Sequence, residues 1–195
     1  VPALLDAAGR RAAASGLALD LQVADAENLP FADAAFDVAL STFGVMFTAD
    51  HRAAAREMLR VVRPGGRIGL ANWTPEGFVG RLFATIGRHV APPPGAKSPA
   101  LWGTQAWIEA EFGQQAADIT ASRRTFVMRY RSPEHWLEVF RTWYGPVLKA
   151  FGALDAAGQA ALTADILALV DAFNAAKDGT VVIPAEYLEI VIQQA

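Results

Sequence analysis

The chain of 195 residues contains no cysteine, which excludes disulfides, thiolate metal sites and cysteine nucleophiles together. Charge is sparse as well. Charged residues make up 19% against 53% hydrophobic, and the net charge is -3. That balance excludes a disordered chain and leaves no basic surplus for general binding to nucleic acid or an anionic membrane. Long apolar runs are missing, since Arg, Asp or Pro interrupts each one, so no segment is expected to cross a bilayer. Asp6, Arg10 and Arg11 stand in the first stretch where a signal peptide needs an apolar core. The expectation is a soluble, cytoplasmic chain. The three histidines show no ligand spacing, so no metal site is expected. G-x-S-x-G and G-x-G-x-x-G are both absent, which removes the nucleophile elbow of serine hydrolases and the phosphate loop of nicotinamide-dependent dehydrogenases.

What is present reads as one α/β domain over residues 1–195. Ala3–Ser15 is an Ala-rich helix stopped by Gly16. Leu19, Leu21 and Val23 alternate with Asp20 and Gln22, the period of a short strand ending at Asp25. Phe36–Ser41 is a buried strand. Asp50 or Thr48 caps a helix carrying Ala55, Met58, Leu59 and Val62, and Pro64-Gly65-Gly66 separates it from a third strand, Arg67–Asn72. Strands and helices alternating at short intervals predict a parallel sheet.

The second half is richer in helix. Val79, Leu82, Phe83, Ile86 and Val90 mark one amphipathic helix, and Trp107, Ile108 and Phe112 a shorter one. Ile119–Tyr130 reads as a strand. Trp136, Phe140, Trp143, Val147 and Phe151 form one helical stripe, and Leu162, Ile166, Leu169, Val170 and Phe173 another. Glu186–Gln193 closes the chain as a strand.

Open parallel sheets bind ligands beyond the carboxyl ends of their strands. The three early strands end at Asp25-Ala26-Glu27, at Ser41-Thr42-Phe43-Gly44 and at Asn72-Trp73. Asp25 is placed to accept from an exocyclic amine, with the Ala26 or Glu27 amide serving a ring nitrogen; this suits a purine. The plain alternative is that Asp25 caps its own turn.

The run ADAENLPFADAAFDVALSTFGVMF, Ala24–Phe47, resembles the central signature of class I S-adenosylmethionine-dependent methyltransferases. It is most similar to the branch that includes the ubiquinone and menaquinone biosynthesis enzymes. EMLRVVRPGGRIGLANW, Glu57–Trp73, resembles the same family's next helix, Pro-Gly-Gly turn and fifth strand. The resemblance implies a Rossmann-like sheet with an inserted helical cap before the last strand, and S-adenosylmethionine as cofactor. Carried over by residue, it implies that Asp25 binds the adenine amino group, with Ala26 and Glu27 in the same loop. Ser41, Thr42 and Phe43 then line the methionine side. Asp37 starts its strand and takes a structural role. Helices within 75–112 and 133–178 would form the cap and substrate side, with Trp73, Trp102, Trp143 and Tyr144 lining an apolar pocket. Core packing is the competing explanation for each aromatic. No catalytic base is assigned: His51 is expected to be exposed at a helix start, and His89 and His135 have no carboxylate partner at readable spacing.

The family's glycine-rich loop and the acidic residue for its ribose hydroxyls do not occur in these 195 residues. In the family's strand order, 3-2-1-4-5-7-6, Leu19–Ala24 would lack its neighbour. The expectation is that the chain is part of a longer polypeptide, or pairs with a second copy. Two functions stay open: methyl transfer to a small-molecule acceptor, and a non-catalytic assembly module that keeps the fold.

Overall fold

The computed structural model describes residues 2–195. Thirteen elements follow one another: α1 (Pro2–Ala14), β1 (Phe36–Thr42), a 3-10 turn at Val45–Phe47, α2 (His51–Val61), β2 (Val62–Trp73), α3 (Phe78–His89), a 3-10 turn at Pro99–Gly103, α4 (Gln105–Phe112), β3 (Ala116–Tyr130), α5 (Pro133–Trp143), α6 (Gly145–Ala153), α7 (Ala156–Phe173) and β4 (Val181–Gln194). The sheet order is β1-β2-β4-β3. β1 and β2 are parallel, while β4 inserts antiparallel to both β2 and β3. These correspond to the fourth, fifth, seventh and sixth strands expected from the family resemblance, in that family's spatial order.

The register assigns the two faces. Ala39, Ile68, Ile192 and Ile119 form one rung. Ile68, Leu70, Ile190 and Ile192 on that face are buried in one core with Met58 of α2, Leu82 of α3 and Ile108 of α4. The opposite face is open: Leu40, Gly69 and Val191 share a rung there, and Leu40 is 76% exposed. β3 and β4 run on past the end of β2. Trp73 is level with Tyr187 and Arg124, and pairing continues to Tyr130 and Val181. At roughly 3.3 Å per residue, that ribbon projects about 20 Å beyond the carboxyl end of β2.

Phe36–Ser41 forms a strand as expected but not a buried one, since Val38 and Leu40 are 50% and 76% exposed on the open face. Further expectations need correction. Leu19–Val23 is not a strand; it has no regular secondary structure and is exposed, and only an isolated bridge between Asp25 and Asn28 follows it. Alternating side chains set a period, but a strand also needs a neighbour for its backbone groups. None of the described strands lies beside it. The stripe from Trp136 to Phe151 is also not one helix. Pro146 has no N–H for an intrahelical bond, so α5 stops at Trp143 and α6 restarts with Pro146 in its first turn. By length and hydropathy alone, α7 is apolar enough to cross a membrane, a helix that broken apolar runs concealed. Its Leu162, Ile166 and Val170 are wholly buried in the core.

Gly103 sets how closely the second 3-10 turn approaches the sheet. A Cβ there would collide with the Trp73 carbonyl, so Gly103→Ala must push the turn away or distort the end of β2. Overpacking of this kind costs about 1–3 kcal/mol. The expected result is a fall in thermal midpoint of about 2–12 °C for a domain of this size. Gly87, inside α3, has nothing within 4 Å of its added Cβ. Gly87→Ala is expected to raise stability by about 0.5–1 kcal/mol through helix propensity. Thermal melts of both variants check the pair.

Candidate functional site

The carboxyl edge of the sheet is assembled by a loop strapped onto α2. Asp25 opens it with a turn in which its Oδ1 accepts from the Glu27 amide, 3.0 Å. Glu27 does not face outward: its Oε1 accepts from the amides of Ala49 and Asp50, at 2.6 and 2.9 Å. Asp50 in turn caps α2 by accepting from Arg52 and Ala53. Further along, the Leu29 amide donates to Glu57, 2.7 Å. Arg60 completes the strap: Nη2 donates to the Leu29 carbonyl, Nη1 to the Phe31 carbonyl and to Asp33. Its remaining N–H groups donate to both oxygens of Glu57. That partner holds the Glu57 carboxyl below the usual carboxylate range.

After β1 the chain turns sharply. The Ser41 hydroxyl accepts from the Val45 amide, 3.0 Å, and Phe43 has a φ of 55°. The Phe43 amide donates to the Ala71 carbonyl, 2.8 Å, and its ring lies stacked on Trp73 with centroids 4.1 Å apart. Tyr187 of β4 stands edge-on to both rings. On the neighbouring strand position, Glu186 accepts from the Thr74 hydroxyl at 2.8 Å and from Arg123 at 2.6 Å.

The residues named from sequence are therefore divided. Asp25, Ala26, Phe43 and Trp73 sit at this edge; Thr42 is exposed on it. The oxygens of Ser41 and Glu27 are engaged in holding backbone. Trp102 is wholly buried, packed 4.2 Å from Trp107. Trp143 is 82% exposed at the end of α5, and Tyr144 packs on Phe140 with its hydroxyl buried and unpartnered. Burial pushes that hydroxyl's pKa up. The four pocket aromatics thus do not meet in one cavity. Tyr187 and Glu186 were missed, because nothing in EYLEIVIQ marks which residues reach the end of β2; only the antiparallel register does.

The histidines also differ from expectation. His89 Nε2 lies 2.8 Å from Asp165 across the α3–α7 contact, a partner 76 residues away. His51 is buried at 3% exposure, not exposed. The rings of Trp102 and Trp107 close over it. Its Nδ1 has no partner, and desolvation, followed by the charge on Lys97, lowers its pKa.

This edge can be compared with known proteins. Residues 1–70 match the family model described as a methyltransferase domain. Those first 70 residues are thus similar to a methyltransferase domain. Two uncharacterized proteins of Mycobacterium tuberculosis resemble it at 43% identity over 153 residues and 40% over 167. Those matches cover 77% and 84% of this chain but 56% and 61% of the relatives, so the chain spans less than two thirds of their length. A protein of Deinococcus radiodurans named demethylmenaquinone methyltransferase is 39% identical over 98 residues, covering 49% of this chain and 41% of its own. Among solved structures, the YcgJ protein from Bacillus subtilis superposes with a TM-score of 0.58 at 18% identity, covering 100% of this chain and 80% of that one. A SAM-dependent methyltransferase from Thermotoga maritima gives 0.51 at 15%, covering 95% and 70%. The shared architecture is the Rossmann-like methyltransferase sheet.

Two outcomes follow for this domain. Arg60→Ala removes the strap while leaving α2 intact, so the Leu29 amide should exchange with deuterium about tenfold faster, with little change in β2. Unchanged protection would mean the loop is held by something else. For His51, the unfolded chain takes up a proton near its ordinary pKa of 6.5 while the folded chain does not. Stability from the neutral, buried ring is therefore complete above that pH and is lost as pH falls through the lowered folded value. The thermal midpoint should drop below pH 6.5, and His51→Phe should flatten that slope.

Proposed function

We propose that the protein containing this domain transfers a methyl group from S-adenosylmethionine to a small, apolar, ring-bearing acceptor. The observation that carries the reading is the strapped loop. It holds Asp25 and Ala26 at the carboxyl edge that also bears the Phe43–Trp73 stack. The residues present fit the adenine end of the cofactor. Among the described residues, Asp25 Oδ2 has no protein partner, and the Ala26 amide donates to none. An adenine edge needs one acceptor for its amino group and one donor for a ring nitrogen, and this turn supplies both.

The cofactor's sulfonium supplies an already activated methyl, so the protein's work is orientation and exclusion of water. Phe43, Trp73 and Tyr187 present aromatic faces and edges against which a flat acceptor ring packs. The relative named demethylmenaquinone methyltransferase is consistent with a ring acceptor.

A second reading, an assembly module that pairs copies of the chain, draws on the open face. Val38 and Leu40 of β1 and Val191 of β4 are apolar and exposed there. A stable dimer in solution without affinity for S-adenosylhomocysteine would favour it.

Calorimetric titration of S-adenosylhomocysteine into the full-length protein tests the first reading. Asp25→Ala should weaken binding by about tenfold, the loss of one charge-assisted hydrogen bond at ~1.4 kcal/mol. Undiminished binding would remove Asp25 from the site.

A further inference from the structure

Four arginines lie on β3 or one residue past its end, and the structure treats them in two ways. Arg123 and Arg124, level with the end of β2, are each matched by a carboxylate, Glu186 at 2.6 Å and Glu189 at 3.0 Å. Arg129 on the projecting ribbon and Arg131 just beyond it have no acidic partner among the described residues. They line an open groove of about 450 Å³ together with Tyr130, His135, Thr180, Val181 and Val182.

We propose that this groove binds an organic phosphate or diphosphate. The site lies apart from the methyl-transfer edge and does not depend on that reading.

Three features of the groove carry the assignment. Arg129 stands one residue before the end of β3 and Arg131 in the bend that follows, and both side chains line the same groove. That placement suits two guanidiniums sharing the oxygens of one phosphate or of two linked phosphates. His135 is oriented as a third donor. Its Nδ1 accepts from the Arg131 amide, 3.3 Å, so in the neutral ring the proton sits on Nε2. The lining contains no carboxylate. Of the acidic residues nearby in sequence, Asp178 is turned onto Thr180, its Oδ1 accepting from that amide and hydroxyl, and Glu134 does not line the groove. The floor is apolar. Val181 is wholly buried beneath the groove, and the Tyr130 ring stands 5.6 Å from His135. The ligand is therefore a phosphate ester with a short apolar part against the floor, not a bare sugar phosphate.

Inorganic pyrophosphate is the first probe, titrated into the intact chain at low salt. Saturable binding should weaken at least tenfold in an Arg129→Gln/Arg131→Gln double variant. Arg10→Gln/Arg11→Gln removes equal charge from the exposed surface of α1 and should bind like the parent. Equal weakening in both variants, or no saturable binding by the parent, overturns the proposal, since either shows general charge attraction at most. Two further arms separate the ligand's source. Co-sedimentation with phosphatidic acid vesicles, lost in the Arg129/Arg131 variant, assigns the phosphate to a lipid headgroup. Binding of isopentenyl phosphate without co-sedimentation assigns it to a free ester. Near-ultraviolet circular dichroism of the variants confirms that each is folded.

Discussion

The guanidinium of Arg60 is the constraint that holds the loop before β1 against α2. Residues 17–35 contain no helix or strand, so nothing internal holds them against the sheet. Arg60 replaces that missing order with a set of directed bonds to two carbonyls and two carboxylates. Arginine suits the position because its planar fork addresses several acceptors at once, where a lysine offers one point charge. Glu57, one helical turn earlier, serves both Arg60 and the Leu29 amide. The strap thus fixes loop to helix, and α2 leads without a break into β2. Asp25 itself is held nearer by, through Glu27, whose carboxylate accepts from the Ala49 and Asp50 amides at the start of α2.

Much of this was legible in the sequence where the information is local. The α3 and α7 stripes and the fifth strand follow from period and punctuation over a few residues, and the cap of α2, left between Asp50 and Thr48, is Asp50. β1 was placed from its apolar run. The errors share a cause. Leu19–Val23 has a strand's alternation, yet alternation says nothing about whether a partner strand exists. The stripe across Pro146 kept helical period through a residue that cannot continue a helix. Trp143 shows the consequence, because a position expected to point inward ends on the surface once the helix restarts in another direction.

The candidate site was legible to the extent that it is made of strand ends. Phe43 and Trp73 follow from the rule that ligands meet the carboxyl edge of a parallel sheet; Asp25 was named as a strand end, but no strand precedes it, and its loop reaches the start of α2 through Glu27. Glu186 and Tyr187 do not follow from that rule, because they belong to an antiparallel strand that reaches the same edge from the far end of the chain. Their place is set by the register of β4 against β2, fixed by Ile190 and Ile192 entering the core beside Leu70 and Ile68. A one-residue slip would turn those isoleucines outward and carry Tyr187 away from Trp73. Core packing therefore decides the composition of the site.

Phe43 adds a local energetic argument. A positive φ in a bulky aromatic residue costs on the order of 1–3 kcal/mol, and a glycine follows it immediately in sequence, so the strain is not avoided by residue choice. The surroundings offset it. The amide of Phe43 continues the β1–β2 ladder to the Ala71 carbonyl, and the left-handed turn swings the ring onto Trp73 instead of along the strand. A stacked pair contributes about 0.5–1.5 kcal/mol beyond its buried area, with Tyr187 closing the third side. A residue in ordinary extended geometry would keep the ladder but lose the stack. The strained turn is thus what converts the end of a strand into an aromatic wall facing the ligand edge.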